Sequence, residues 1–441
     1  MSGDTSLNEF RLGRLRFIRL PPTSISFPLE RSKTDSTAFE LGVGITDDYG
    51  TDIDLFESIN LRLEVVSGED AVEGLGLKLA ADERSKVSTL KPWIDFTFTP
   101  TRGPFHMLSL KLVALSSKGS LPEQIRFRLS VAPSTQSDSS LESAASRRIR
   151  EIIGEPSQTV LETWNDSRYL LMGVESGEVE LARRSTATNS PEKVQTTLRR
   201  IHYPQSPPLT IVERPGLNNS TGQRLWDCAI GISAFFSLHD NTFDPTTAII
   251  DTSKSTEDDG ASRSKKRRKT SKRTRVVELG AGCALASLVA GQVIRSIEGE
   301  VSVVATDIEA TVETTLLENL NFNETVTKGD RRVLDWGALA EDQVKNVLGV
   351  ESIAQQTDLS LIATDVLYNP ESHQLLLDTL LSFLRPSSAI APILSNTSSR
   401  ALIAYKRRTE GDDGFFGLAR EAGLKTEKVW EWSEVSVWCF T

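Results

Sequence analysis

The sequence predicts an α/β protein, with a mainly parallel sheet and helices on both faces, preceded by a separate β-rich domain. Three observations carry that prediction. A chain of 441 residues is too long for one ordinary core. Before about residue 132 the apolar residues fall in short, often alternating runs punctuated by Pro, Gly, Asp and Ser. From residue 209 onward, strand-like and helix-like segments take turns, the pattern of a parallel sheet.

The N-terminal domain is expected over 1–131. Its strands are "RLRFIRL", "TAFELGVGI", "NLRLEVV", "WIDFTFT", "FHMLSLKLVAL" and "IRFRLSVA", which suggest a small sandwich or barrel. No His, Cys or Asp cluster at a useful spacing occurs there. Residues 132–208 are expected to be a connection: a polar, serine-rich linker, then a helix through "IREIIGE" and an ambiguous stretch. The α/β domain, 209–441, opens with the strand "LTIVERPG" and an amphipathic helix through "GQRLWDCAIGISAFFSL". A basic insertion follows, 262–275, with no apolar residue. Strands then come at "RVVEL", "EVSVVATD", "RRVLDW", "LSLIATD" and "ALIAYK", with helices between them. The closing "KTEKVWEWSEVSVWCF" offers two more strands, which a plain dinucleotide-binding fold would not have.

Composition narrows the function. Apolar residues at 38% and charged residues at 25% fit a soluble globular chain. No membrane span is expected, since no run of about 18 uncharged apolar residues occurs. The N-terminus lacks the apolar core of a secretory signal. Three cysteines, far apart, fit neither a disulfide framework nor a zinc site, and no metal is expected. A net charge of -10 argues against nucleic-acid binding through the whole surface, leaving only the basic insertion for it.

The stretch "RVVELGAGCALASL" holds the first chemistry. Gly280 and Gly282 after a strand allow a tight turn and clear space for a ligand. A dinucleotide site would need a third glycine where Leu285 stands, so a pyrophosphate is disfavoured. Glu278, just before the loop, would repel a diphosphate yet attract the ammonium or sulfonium side of S-adenosylmethionine. A glycine turn without a ligand is the plain alternative. Asp307 ends the next strand, where a carboxylate can accept from both ribose hydroxyls or cap the helix that follows.

Five segments in one order, "VVELGAGCALASL", "ATDIEATVETTLLENLNFN", "VLDWG", "IATDVLYNPE" and "ALIAYKRR", resemble the seven-β-strand S-adenosylmethionine-dependent methyltransferases of methyltransferase family 16, which include protein-lysine methyltransferases. The nearest resemblance is to the methyltransferase-like protein 22 group. It covers about half of the chain and implies a Rossmann-like seven-stranded sheet with S-adenosyl-L-methionine as cofactor. It further implies that Trp226 of "TGQRLW" borders the cofactor and that Gly280, Ala281 and Gly282 approach its methionine portion. Asp307 would take the ribose, Trp336 the adenine, and Thr364 would touch the cofactor through its backbone. Asp365 and Tyr368, the DxxY element, would flank the methyl acceptor as the catalytic pair. Ala284 departs from the glycine usual in the family and is expected to crowd the loop.

Methyl transfer to an amine is an in-line displacement whose rate comes largely from alignment. A lysine with a pKa of roughly 10.4 must first lose its proton, which desolvation and a nearby positive charge favour. Tyr368 is expected to orient the amine and Asp365 to steer the incoming ammonium; helix capping and packing are their bland alternatives. The expected partner is therefore a lysine-containing protein substrate. The basic run 263–275 resembles a nuclear-import signal, implying an import receptor and a nuclear location, with the cytoplasm as a second compartment. The competing reading is a catalytically inactive methyltransferase-like scaffold that binds partners through its N-terminal domain.

Overall fold

The computed structural model describes residues 10–28, 35–55, 57–82, 90–115, 121–133, 143–154, 161–162, 168–184, 189–204, 206–214, 221–239, 273–295, 301–326, 329–349, 357–394 and 397–441. They group into two compact units. The first comprises Met1–Glu142, Ile153–Ile201 and Val212–Asn218; the second comprises Ser143–Ile152, His202–Ile211 and Asn219–Thr441.

The first unit is a sandwich. Among the described residues one sheet runs, in order, Leu161–Glu162, Arg168–Met172, Phe10–Arg19, Ser36–Thr46, Phe105–Ala114 and Leu75–Leu79. The second includes Thr197–Ile201, Val174–Ser176, Gln124–Val131, Val179–Arg184 and Ser24–Pro28, with Ile59–Ser67 and Trp93–Phe98 branching from it. Alternation does the sorting. In Ile59–Ser67 the side chains of Ile59, Leu61, Leu63 and Val65 are buried while those between them reach outward. Leu15 and Phe17 from one sheet share a single core with Ile25 and Phe27 from the other. Arg199 and Glu213 form a buried ion pair at 2.7 Å, and Arg199 also donates to the carbonyls of Leu15 and Gly173.

The stretch expected to be a connection, 132–208, instead supplies strands to this sandwich. Arg168–Met172 lies parallel to Phe10–Arg19, and Val174–Ser176 and Val179–Arg184 both pair with Gln124–Val131. These strands are three to six residues long. Alternation over so few positions is weak, and the partners that stabilise them are remote in sequence.

In the second unit we number the strands β1 Arg273–Leu279, β2 Val301–Asp307, β3 Asp330–Val333, β4 Thr357–Thr364, β5 Thr397–Lys406, β6 Thr426–Trp432 and β7 Val435–Phe440. Their order in the sheet is β3-β2-β1-β4-β5-β7-β6. β1 to β5 are parallel, and β7 enters antiparallel between β5 and β6. The strand order reverses between β1 and β4, so a crevice opens at their carboxyl ends. Val277 and Leu279 face a cluster built with helices Glu341–Leu348, His373–Leu384 and Gly414–Glu421.

Helix Asp227–Leu238 is buried from Asp227 to Phe236, not the amphipathic helix expected. It packs on helix Leu285–Arg295 and on β7, so every side of it meets protein. Helix Ala144–Ile153 begins within the expected linker, and Ser146 accepts a hydrogen bond from Trp432 Nε1 at 2.9 Å. Trp430 and Trp432 are core residues.

Candidate active site

The loop after β1 is fixed by its backbone. Gly280 and Gly282 have φ of +66° and +52°, where a Cβ is strained. A Cβ on Gly280 would lie 3.1 Å from Trp336 Cζ2 and 3.1 Å from Val366 Cγ1; one on Gly282 would meet only the Gly222 backbone, at 3.4 Å. Ala281 donates its N–H to the Thr306 carbonyl at 2.9 Å, tying the loop to β2. Asp307 closes the arrangement: Oδ2 accepts from Gly282 N and Oδ1 from Ile308 N, each at 2.8 Å. Burial raises the Asp307 carboxyl above the usual range, and these two N–H groups oppose that shift.

Ala284 also has a positive φ, +62°, and is fully buried. It does not line the cavity beside the loop. The departure from glycine, expected to crowd the loop, therefore costs backbone strain just before helix Leu285–Arg295 and adds no side chain to the cavity wall.

Glu278 is placed differently from its expected role. It is wholly buried behind the loop, and Oε2 accepts from Ser287 N at 2.9 Å. It is not among the cavity-lining residues. Burial pushes its carboxyl up to about 8, so near neutrality it spends much of the time uncharged and makes a poor counter-ion for a sulfonium. Its position at the end of a strand suggested a ligand contact; strand pleat turned it toward the helix instead.

Trp226, Gly280, Ala281, Gly282, Asp307, Trp336, Thr364, Asp365 and Tyr368 line one cavity of about 620 Å³ at the carboxyl ends of β1, β2 and β4. That volume suits a small-molecule cofactor. Apolar Ile308, Leu334 and Leu375 and polar Arg224, Asp335 and Asn369 complete much of its lining. The sequence pattern gave these no role, because most of them lie between elements, where no periodicity marks a ligand contact.

The DxxY element divides into two environments. Tyr368 is 46% exposed, and its hydroxyl lies 3.2 Å from Thr221 Oγ1. Asp365 adopts φ +55° and buries its carboxylate. Oδ1 pairs with the Arg408 guanidinium, with Nε at 3.0 Å, while Oδ2 accepts from Cys228 N at 3.1 Å. Asp365 thus caps helix Asp227–Leu238 from outside and is charge-neutralised by Arg408, so it does not steer a substrate ammonium as expected. Arg408 was missed; its only trace was the "YKRR" run across the end of β5. No group of three or more His, Cys, Asp or Glu able to hold a metal occurs among the described residues, and no described helix is long and apolar enough to cross a membrane. The basic run 262–272 lies outside the described residues.

Residues 204–422 match the family model described as lysine methyltransferase. This C-terminal domain belongs to that family. As a member of it, the domain takes S-adenosylmethionine, and the cavity fits: two glycines along its lining, a carboxylate at the end of β2 and a half-buried indole. No curated protein matches the chain. Among solved structures it is similar to the O-methyltransferase NcsB1 of neocarzinostatin biosynthesis in complex with S-adenosyl-L-homocysteine, at 16% identity over 38% of this chain and 49% of that one, TM-score 0.24. It is also similar to the methyltransferase domain of METTL16 (12% identity, 39% and 60%, TM-score 0.27). A third is an O-methyltransferase from Bacillus cereus with S-adenosyl-L-homocysteine (12%, 38% and 73%, TM-score 0.23). The chain spans about half the length of the first solved structures it matches. Scores of this size leave the assignment resting on the family match.

Proposed function

We propose that the C-terminal domain transfers a methyl group from S-adenosylmethionine to a lysine amine of a protein substrate. The observation that carries this reading is the convergence of the glycine loop, Asp307, Trp336 and the half-exposed Tyr368 on one cavity. The 280–282 backbone would hold the methionine portion, the remaining lone pairs of Asp307 the ribose, and Trp336 with Ile308 and Leu334 the adenine, as an apolar aromatic face suits a flat base. When bound, the cofactor supplies an electrophilic methyl group on a positively charged sulfur.

The chain's own work is placement. Tyr368 offers a hydroxyl, held by Thr221, that can accept from or donate to an acceptor nitrogen. Partial desolvation at the cavity mouth favours the neutral amine, so no strong base is required. The buried charge of Asp365 is matched by Arg408, and the mouth therefore presents no unopposed carboxylate there to hold the amine protonated. Calorimetric titration of wild type and Asp307→Ala with S-adenosylmethionine and with NAD tests the cofactor assignment; micromolar binding of the first alone, weakened in the variant, is expected. Labelled-methyl transfer to protein in an extract should then fall at least about tenfold in Tyr368→Phe, to a rate still measurable, with cofactor binding kept. Binding without transfer to any protein would sink the lysine reading.

The import role of 263–275 belongs to the same proposal. Replacing residues 265–269 with alanine should move the protein out of the nucleus, and an unchanged distribution would end that idea.

A further inference from the structure

We propose that Arg408 is a positioning residue for methyl transfer: it closes a ring of contacts that fixes Tyr368 from two sides. This rests on the methyltransferase reading above. One arm runs from the guanidinium to Asp365, whose φ of +55° starts the turn carrying Tyr368. The other runs from the same guanidinium, lying 4.7 Å over the Trp226 ring, through Trp226 Nε1 to the Thr221 carbonyl at 2.8 Å. The ring closes at the 3.2 Å contact between Thr221 Oγ1 and the Tyr368 hydroxyl. Arg408 is itself fixed, because Asp412 Oδ2 accepts from the backbone N–H of Arg408 at 2.8 Å and of Thr409 at 3.0 Å.

The physical case is that neither end of Tyr368 is rigid alone. Left-handed φ at a residue with a Cβ is unfavourable, and it persists where the surroundings over-determine it. Here the Arg408 fork and Cys228 N hold the Asp365 carboxylate, with both charged side chains only 6% exposed. An exposed tyrosine would otherwise sample several rotamers, and a nucleophile must be aligned to within a fraction of an ångström. A planar guanidinium can pair with a carboxylate and lie on an indole at once; a lysine ammonium can do only the first well.

The test pairs tritiated S-adenosylmethionine with an extract of cells lacking the enzyme as the acceptor pool, using the full-length protein. Because Arg408→Met alone strands a buried carboxylate and threatens folding, Arg408→Met/Asp365→Asn removes both charges together. That variant should keep its circular dichroism and its calorimetric Kd and KM for S-adenosylmethionine within roughly threefold, while kcat falls at least about tenfold. Arg408→Lys should recover part of kcat. In a Tyr368→Phe background the same double change should cost less than about threefold, because the residue it acts through is already gone. A folded double variant with kcat near wild type overturns the proposal, as does an equal loss with and without Tyr368. Wild type that binds the cofactor but labels no protein overturns the underlying reading instead.

Discussion

Adding one methyl group at Gly280 separates two ways of harming the cofactor loop. Gly280 and Gly282 share a left-handed backbone, so alanine at either costs about 1–2 kcal/mol in strain. Only at Gly280 does the new Cβ also press on packed side chains, Trp336 and Val366, each at 3.1 Å. Overpacking adds about 1–3 kcal/mol, for a total of roughly 2–5 kcal/mol against about 1–2 kcal/mol at Gly282. With each kcal/mol worth about 2–4 °C in a domain of this size, Gly280→Ala should lose roughly 4–20 °C and Gly282→Ala roughly 2–8 °C. Scanning calorimetry on the two variants measures this. Trp336→Ala should relieve part of the Gly280→Ala penalty by vacating the contact. A Gly282→Ala variant that melts as low as Gly280→Ala, or no relief from Trp336→Ala, would refute the packing argument.

Three further outcomes follow from buried groups elsewhere in the protein. Glu278 has its carboxyl raised from 4.5 to about 8, so the native state holds a proton that the unfolded chain releases; stability from this group is full below pH 4.5 and is lost as pH rises through 8. Glu278→Gln should flatten that fall in a series of melts from pH 5 to 9, and a parallel fall would contradict it. Arg199→Met should destabilise the N-terminal unit by about 3–5 kcal/mol in urea unfolding, because it leaves Glu213 buried and the carbonyls of Leu15, Met172 and Gly173 without their donor. Residues 143–152, most of helix Ala144–Ile153, belong to the second unit, and Ile149 is wholly buried. In the full-length protein Ile149→Ala should cost about 2–5 kcal/mol; an unchanged melting temperature would show that this side chain contributes nothing to stability.

What the sequence determined by itself is local or repeats along the chain. Strand and helix alternation from β1 onward, the Gly280–Gly282 turn and the carboxylate at the end of β2 each depend on a few neighbouring residues, and all appear where periodicity and turn chemistry place them; the strand expected to open this domain, Leu209–Glu213, forms but lies beside Thr197–Ile201 instead of in the seven-stranded sheet. Tertiary structure decided what those side chains face. Glu278 and Asp365 both look like ligand contacts in a one-dimensional reading, yet one is turned by strand pleat onto Ser287 N and the other meets Arg408, 43 residues away. The strands between 168 and 184 likewise become strands through partners remote in sequence, in Phe10–Arg19, Ser24–Pro28 and Gln124–Val131. A buried charge or a short strand is stabilised by whatever the fold brings beside it, and that neighbour need leave no mark in the adjacent sequence.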